Sequence, residues 1–221
     1  MIAARGLSKR YGTKRVIERL DLDVPRGSFV VVTGPNGSGK TTLLRLVAGL
    51  AAPTGGTLEV RADRAALGYL GHEPLLYRDL SVVENLELNA RLHGIDRPRE
   101  RIAELLGRAG LTRRGTELVR NLSAGMLQRA AICRALLHDP ELLILDEPRA
   151  HLDVAAAEIV EEMLGPRPGR TRVVVTHEIE RGLESADRVL ALRADGTVAH
   201  AGPSPELAPA EARALYEGAV R

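Results

Sequence analysis

The chain has 221 residues, 44% hydrophobic and 27% charged, which is ample for a buried core and too apolar for a disordered chain. Its 31 basic and 29 acidic residues leave a net charge of +2, so no one-signed field is available to gather nucleic acid or anionic lipid nonspecifically. One cysteine, Cys133, excludes an internal disulfide, and the absence of a basic start followed by an apolar run and a cleavage site predicts a cytoplasmic protein.

Short apolar or β-branched runs between Gly and Pro signals predict strands over residues 16–24, 28–33, 57–60, 66–70, 142–145, 172–176, 188–192 and 197–201. Apolar residues at three- and four-residue spacing predict helices over 40–48, 82–92, 99–109, 124–137, 154–164 and 179–185, with a short closing helix after about Ser204. Strand and helix alternate as in an α/β sheet, except that about 73–138 is helix after helix, an insertion into the α/β core. The longest apolar runs fall far short of the roughly 20 residues of a membrane span, so any membrane role is borrowed from a partner.

Gly34, Pro35, Asn36, Gly37, Ser38, Gly39, Lys40 and Thr41, followed by Thr42, match G-x-x-x-x-G-K-[ST] between a predicted strand and a predicted helix. The glycines let the loop curl so that backbone N–H groups face a phosphate, Lys40 reaches the β/γ oxygens, and the Thr41 hydroxyl can ligate Mg²⁺. The basic residues include only three lysines, Lys9, Lys14 and Lys40, so a lysine at this position is not background composition. At the end of the apolar run 142–145, Asp146 can hold Mg²⁺ and Glu147 can polarise an attacking water. Four Tyr and one Phe are too few for a single-stranded nucleic-acid platform. The arginine-rich, glutamine-poor composition fits either a GC-rich genome or a hot habitat.

Leu122-Ser123-Ala124-Gly125-Met126 with Gln128 and Arg129, lying just before the 142–147 strand, resembles the signature motif of ATP-binding-cassette (ABC) ATPases. The resemblance covers nearly the whole chain. It implies a P-loop NTPase (RecA-like) core with an N-terminal antiparallel β subdomain and an inserted α-helical subdomain. A single domain would then span 1–221, with 1–71 and 139–221 as core and 72–138 as the helical part. It further implies that Tyr11 stacks on adenine, that Asp153 belongs to the D-loop, and that His177 is the switch histidine. Ser123 and Gly125 would present donors to a γ-phosphate across a dimer interface, so that two copies sandwich two ATP molecules with Mg²⁺. Integral membrane permease subunits complete the implied assembly, at the cytoplasmic face of the inner membrane.

Three departures from the family pattern stand out. Ala124 and Met126 replace a Gly and a Gln of the signature, Arg149, Ala150 and His151 replace Thr, Ser and Ala of the D-loop, and His72 stands at the usual Q-loop glutamine. The run Tyr69-Leu70-Gly71-His72-Glu73-Pro74, with Arg91-Leu92-His93-Gly94 downstream, is similar to the ATP-binding subunit of the haem exporter of cytochrome c maturation. The expected function is therefore the ATP-hydrolysing subunit of an ABC transporter, of haem or of another exported substrate. A soluble ABC ATPase acting on DNA or ribosomes would require two cassettes or sustained heptads, a non-hydrolysing module would lack Glu147 or His177, and a nucleotide kinase needs no signature motif.

Overall fold

A computed structural model describes residues 1–217. The chain opens with the hairpin β1 (Ile2–Tyr11) and β2 (Lys14–Val24), enters β3 (Phe29–Thr33) and α1 (Lys40–Val47), and returns to lay β4 (Gly55–Val60) antiparallel to β1. Next come β5 (Leu67–Leu70), then α2 (Val82–Leu92), α3 (Pro98–Arg108) and α4 (Ala124–Leu136) with no named strand between them. The remainder is β6 (Leu142–Asp146), α5 (Val154–Leu164), β7 (Thr171–Val175), α6 (Ile179–Ser185), β8 (Arg188–Leu192), β9 (Val198–Pro203) and α7 (Pro209–Tyr216). The closing helix expected after Ser204 is α7, and residues 218–221 lie outside the described residues.

Two sheets result. The small antiparallel sheet has the order β2-β1-β4, and the larger sheet has the order β5-β6-β7-β3-β8-β9, parallel except for β9. Strand β1 carries no strand signature in the sequence, for a physical reason. Gly6 takes φ 55° at a register break between Ala4 and Leu7, so the buried residues Ile2, Ala4 and Leu7 do not keep the period of two. Other differences are at boundaries: β4 starts at Gly55 rather than 57, Thr176 stands beyond the end of β7, and β9 runs on to Pro203.

The larger sheet is buried on both faces, as a parallel sheet must be. Leu142 and Ile144 of β6 pack on one face with Leu43, Leu44 and the antiparallel sheet, whereas Leu143 and Leu145 pack on the other with α2, α3, α4 and α5. Helix α1 is thereby clamped between the sheets. Each fully buried Leu or Ile contributes on the order of 1.5–3 kcal/mol.

The entry to the inserted helices is fastened by local polar contacts. Helix α2 starts with a capping box, in which Ser81 Oγ accepts from Glu84 N at 3.2 Å and Glu84 Oε2 accepts from Ser81 N at 2.7 Å. Fully buried Asn85 accepts from Tyr77 N at 2.7 Å and donates to the carbonyls of Tyr77 and Ser81, at 3.0 and 2.9 Å. That fixes the loop running from β5 to α2.

At the far end of α2, His93 stacks on His138 with centroids 4.0 Å apart and rings 7° from parallel, and His138 Nε2 donates to Leu67 O at 3.0 Å. Burial, with His93 as the next cause, pushes the His138 imidazole down to about 4. Arg134 also opposes its protonation, while Asp139 favours it. In the unfolded chain the same ring takes a proton near pH 6.5, so between the two values the unfolded state binds more protons and stability falls as the pH is lowered. The midpoint of thermal unfolding is expected to drop as pH is lowered from 7 to 5, and His138→Asn should flatten that slope. Identical slopes for both proteins would remove His138 as the cause.

Candidate functional site

The segments that carry Lys40, Asp146, Glu147, His177 and His72 lie at the carboxyl edge of the parallel strands, where α/β sheets place their ligand crevices. The Lys40 loop follows β3, Asp146 ends β6, His177 follows β7, and His72 lies two residues beyond β5. Because the order is β5-β6-β7-β3, these four segments stand side by side.

The phosphate loop depends on two close backbone approaches. A Cβ on Gly34 would lie 2.4 Å from Leu192 O, and one on Gly39 would lie 2.6 Å from Val16 O, and both residues have positive φ. Only glycine lets the loop pass between β2 and β8. Lys40 is buried, and its Nζ donates to Gly34 O at 2.7 Å and Pro35 O at 2.9 Å. Burial lowers the pKa of its ammonium, opposed by the Glu147 and Asp146 carboxylates. Ser38 Oγ and Thr33 Oγ1 are buried with no hydrogen-bond partner in the protein. Pro35 and Thr42 are half-buried, and Asn36 and Gly37 form the exposed tip.

Two side-chain pairs close the site. Thr41 Oγ1 donates to Asp146 Oδ2 at 2.7 Å, joining residues 105 positions apart. Glu147 Oε2 meets His177 Nδ1 at 2.7 Å. Glu147 has φ 49° and its N–H donates to Val175 O at 3.0 Å, so the chain turns off β6 in a left-handed conformation that aims the carboxylate at the neighbouring loop. Threonine hydroxyl and aspartate carboxylate are the hard oxygen donors that suit Mg²⁺. A carboxylate beside an imidazole can accept a proton from water, provided a reacting phosphoryl group is held nearby.

Ser123 and Asp153 are both helix N-caps. Ser123 Oγ accepts from Met126 N at 3.3 Å, and Asp153 Oδ1 accepts from Ala156 N at 2.8 Å. Gly125 packs against the D-loop, where a Cβ would lie 3.2 Å from His151 O. Within this chain, then, the signature and the D-loop touch each other. The Ser123 O–H is left as a donor, at the start of a helix whose dipole favours an anion.

Tyr11 is 48% exposed at the tip of the β1–β2 hairpin, with Lys9 Nζ 4.8 Å from its ring centroid. This hairpin reaches the phosphate loop through the close contact of Val16 with Gly39. His72 is exposed. One residue of the site has no reading from motif spacing beyond its place in the signature. Gln128, on α4, donates through Nε2 to Glu147 O at 3.3 Å and Pro148 O at 3.1 Å, so the signature helix holds the backbone that carries Glu147.

The family's sequence model, described as ABC transporter, matches residues 17–150, from β2 through the phosphate loop and signature into the D-loop. The chain belongs to the ABC transporter family. It is 40% identical over 201 residues to the aliphatic sulfonates import ATP-binding protein SsuB 1 of Mesorhizobium japonicum, spanning 87% of this cassette and 75% of that protein. It is 39% identical over 219 residues to the daunorubicin resistance ATP-binding protein DrrA3 of Streptomyces coeruleorubidus, spanning 93% of this cassette and 69% of that one. Among solved structures, the dimeric bacterial ABC transporter cassette MJ0796 superposes with a TM-score of 0.83 at 29% identity, covering 92% of this cassette and 99% of that chain. A post-hydrolysis dimer of the same protein, bound to ADP and Pi, gives 0.82. The cassette is accordingly an ATPase whose partners are ATP, a second cassette and membrane permeases.

The loop geometry makes a comparative prediction. Gly37 and Gly39 both have positive φ, but a Cβ on Gly37 meets nothing within 4 Å. Gly37→Ala should cost about 1–2 kcal/mol, from backbone strain alone. Gly39→Ala must also displace the backbone at Val16, so urea denaturation should show the larger loss and ATP affinity should fall with it. Equal losses would mean that the loop has room to shift.

Proposed function

We propose that this cassette binds MgATP between the Lys40 loop of one copy and the Ser123–Gly125 helix start of a second, and hydrolyses it to power transport by membrane subunits. The observation that carries the reading is the convergence of the pairs Thr41–Asp146 and Glu147–His177 on one sheet edge beside the Lys40 loop. Lys40 and the loop N–H groups would hold the β- and γ-phosphates, Thr41 and Asp146 would hold the metal, and Tyr11 would stack on adenine. Mg²⁺, when bound, supplies charge neutralisation at the phosphate oxygens. Glu147 orients and deprotonates the attacking water, and His177 fixes the Glu147 carboxylate and reaches the γ-phosphate. His72 faces the same edge from β5 and links it to the helices that follow.

Asp153 acts by fixing the start of α5 beside the signature, which prepares both segments for the second copy. The chain works as one domain, with 1–71 and 139–221 as the core and 72–138 as the helical part that meets the permease. Among the described residues no helix is long and apolar enough to cross a membrane; on this reading the cassette sits peripherally at the cytoplasmic face of the inner membrane, held there by the permease. Direction and cargo are set by the permease. Export of haem for cytochrome c maturation is supported by His72 and the run from Tyr69 to Pro74, whereas the relatives above are named for sulfonate import and daunorubicin resistance.

Glu147→Gln keeps the shape of the side chain but cannot take a proton from water, so ATP should accumulate in a stable dimer while turnover falls by about a hundredfold or more. Light scattering with ATP and Mg²⁺, beside a phosphate-release assay, checks both. A monomer turning over at the wild-type rate contradicts the assignment.

A further inference from the structure

Arg149 stands in the D-loop where the family pattern has a threonine, and nothing in the site described above requires an arginine there. Its side chain is only 23% exposed, and Nη1 lies 3.0 Å from Glu178 Oε2 and 3.4 Å from Glu161 Oε2. Its Nε is buried without a partner. A guanidinium confined in this way, with one donor unsatisfied, is a poor device for stability. Its partners say what else it does.

Glu178 is the residue after His177. Its N–H donates to Thr176 Oγ1 at 3.1 Å, so 176–178 is a tight loop fastened at one end to the strand β7 it leaves. Arg149 is two residues after Glu147. The segments 147–149 and 176–178 are therefore held together by two crossed pairs, Glu147–His177 at 2.7 Å and Arg149–Glu178 at 3.0 Å. Glu161 of α5 braces the second pair, because it also accepts from Arg181 of α6, at 3.2 Å from Nε. Gln128 braces the first through the carbonyls of Glu147 and Pro148. A loop of three residues with only one fixed side chain could rotate and carry the imidazole away from the carboxylate. With Glu178 clamped, the His177 ring stays in reach of Glu147.

We infer that Arg149 is a positioning residue for hydrolysis: its ion pair with Glu178 holds the switch loop so that His177 stays on Glu147. The inference rests on the proposed role of Glu147 in hydrolysis. It makes the D-loop and the switch loop one unit within a single chain, so that whatever moves the D-loop also moves His177. Misplacement of a catalytic pair acts on the chemical step, whereas ATP is gripped by the Lys40 loop, which Arg149 does not touch.

The test is a kinetic cycle on the full chain with wild type, Arg149→Ala, Arg149→Lys, Glu178→Gln and the double variant Arg149→Ala/Glu178→Gln. Steady-state ATPase gives kcat and KM for MgATP, and thermal unfolding verifies that each variant folds. Arg149→Ala and Glu178→Gln should each lower kcat about five- to tenfold with KM within about twofold, Arg149→Lys should recover most of the loss, and the double variant should be no worse than the worse single one. A wild-type kcat for Arg149→Ala, losses that multiply in the double variant, or a change confined to KM would overturn the inference. If Arg149→Ala does not fold, the isosteric Glu178→Gln decides alone. Glu147→Gln, assayed alongside, separates the two readings: if it turns over normally the hydrolytic role of Glu147 falls, whereas if it is inactive and Arg149→Ala is normal only the role of Arg149 falls.

Discussion

The hydrogen bond from Thr41 to the buried carboxylate of Asp146 is the interaction on which the rest of the nucleotide site depends. It joins the first turn of α1 to the end of β6 across the intervening strand β7, and so fixes the phosphate loop relative to the strand that carries Glu147. A parallel sheet makes such a meeting possible, because every strand delivers its following loop to the same edge. The register of β6 on β7 pairs Asp146 with Val175, and the next residue, Glu147, donates to the same Val175 carbonyl. His177 is two residues beyond that carbonyl. The Glu147–His177 pair is thus a consequence of strand register together with one left-handed residue.

Rigidity at this edge comes from burial on both faces, with α1 and the antiparallel sheet on one side and the inserted helices on the other. The insertion is not independent of the site. Gln128 reaches from the signature helix to the Glu147 backbone, and Gly125 packs on His151 of the D-loop. Ser123, proposed to meet the ATP of a second copy, therefore lies on the helix that supports the Glu147 backbone of its own copy. On the proposed reading, nucleotide state at one site and geometry at the other would share a single helix, which is the coupling a two-state dimer needs.

Much of this was legible in the residues because the chemistry demands rare types in fixed order. A lysine after Gly-Ser-Gly in a chain with three lysines, and an Asp-Glu pair after four apolar residues, are what a metal-bound triphosphate requires and what a plain turn or strand end does not. The alternating strands and the inserted helices were legible through their periodicity. Strand β1 was not, because a bulge at Gly6 and small buried alanines erase the alternation. Nor were the pairings across the fold, since Thr41 with Asp146, Gln128 with Glu147 and Arg149 with Glu178 depend on the order in which strands enter the sheet. The close approach of Gly39 to Val16 is hidden for the same reason, because β2 belongs to a different sheet from β3.

If Thr41 and Asp146 together hold the metal and so set the phosphate loop, the Mg²⁺ dependence of ATP affinity must run through Asp146. Calorimetric titration of ATP into wild type and Asp146→Asn, with Mg²⁺ and with chelator, measures it. Mg²⁺ should tighten ATP binding to wild type by about tenfold or more and have little effect on Asp146→Asn, while binding in chelator is similar for the two. An equal gain from Mg²⁺ in both proteins would contradict it.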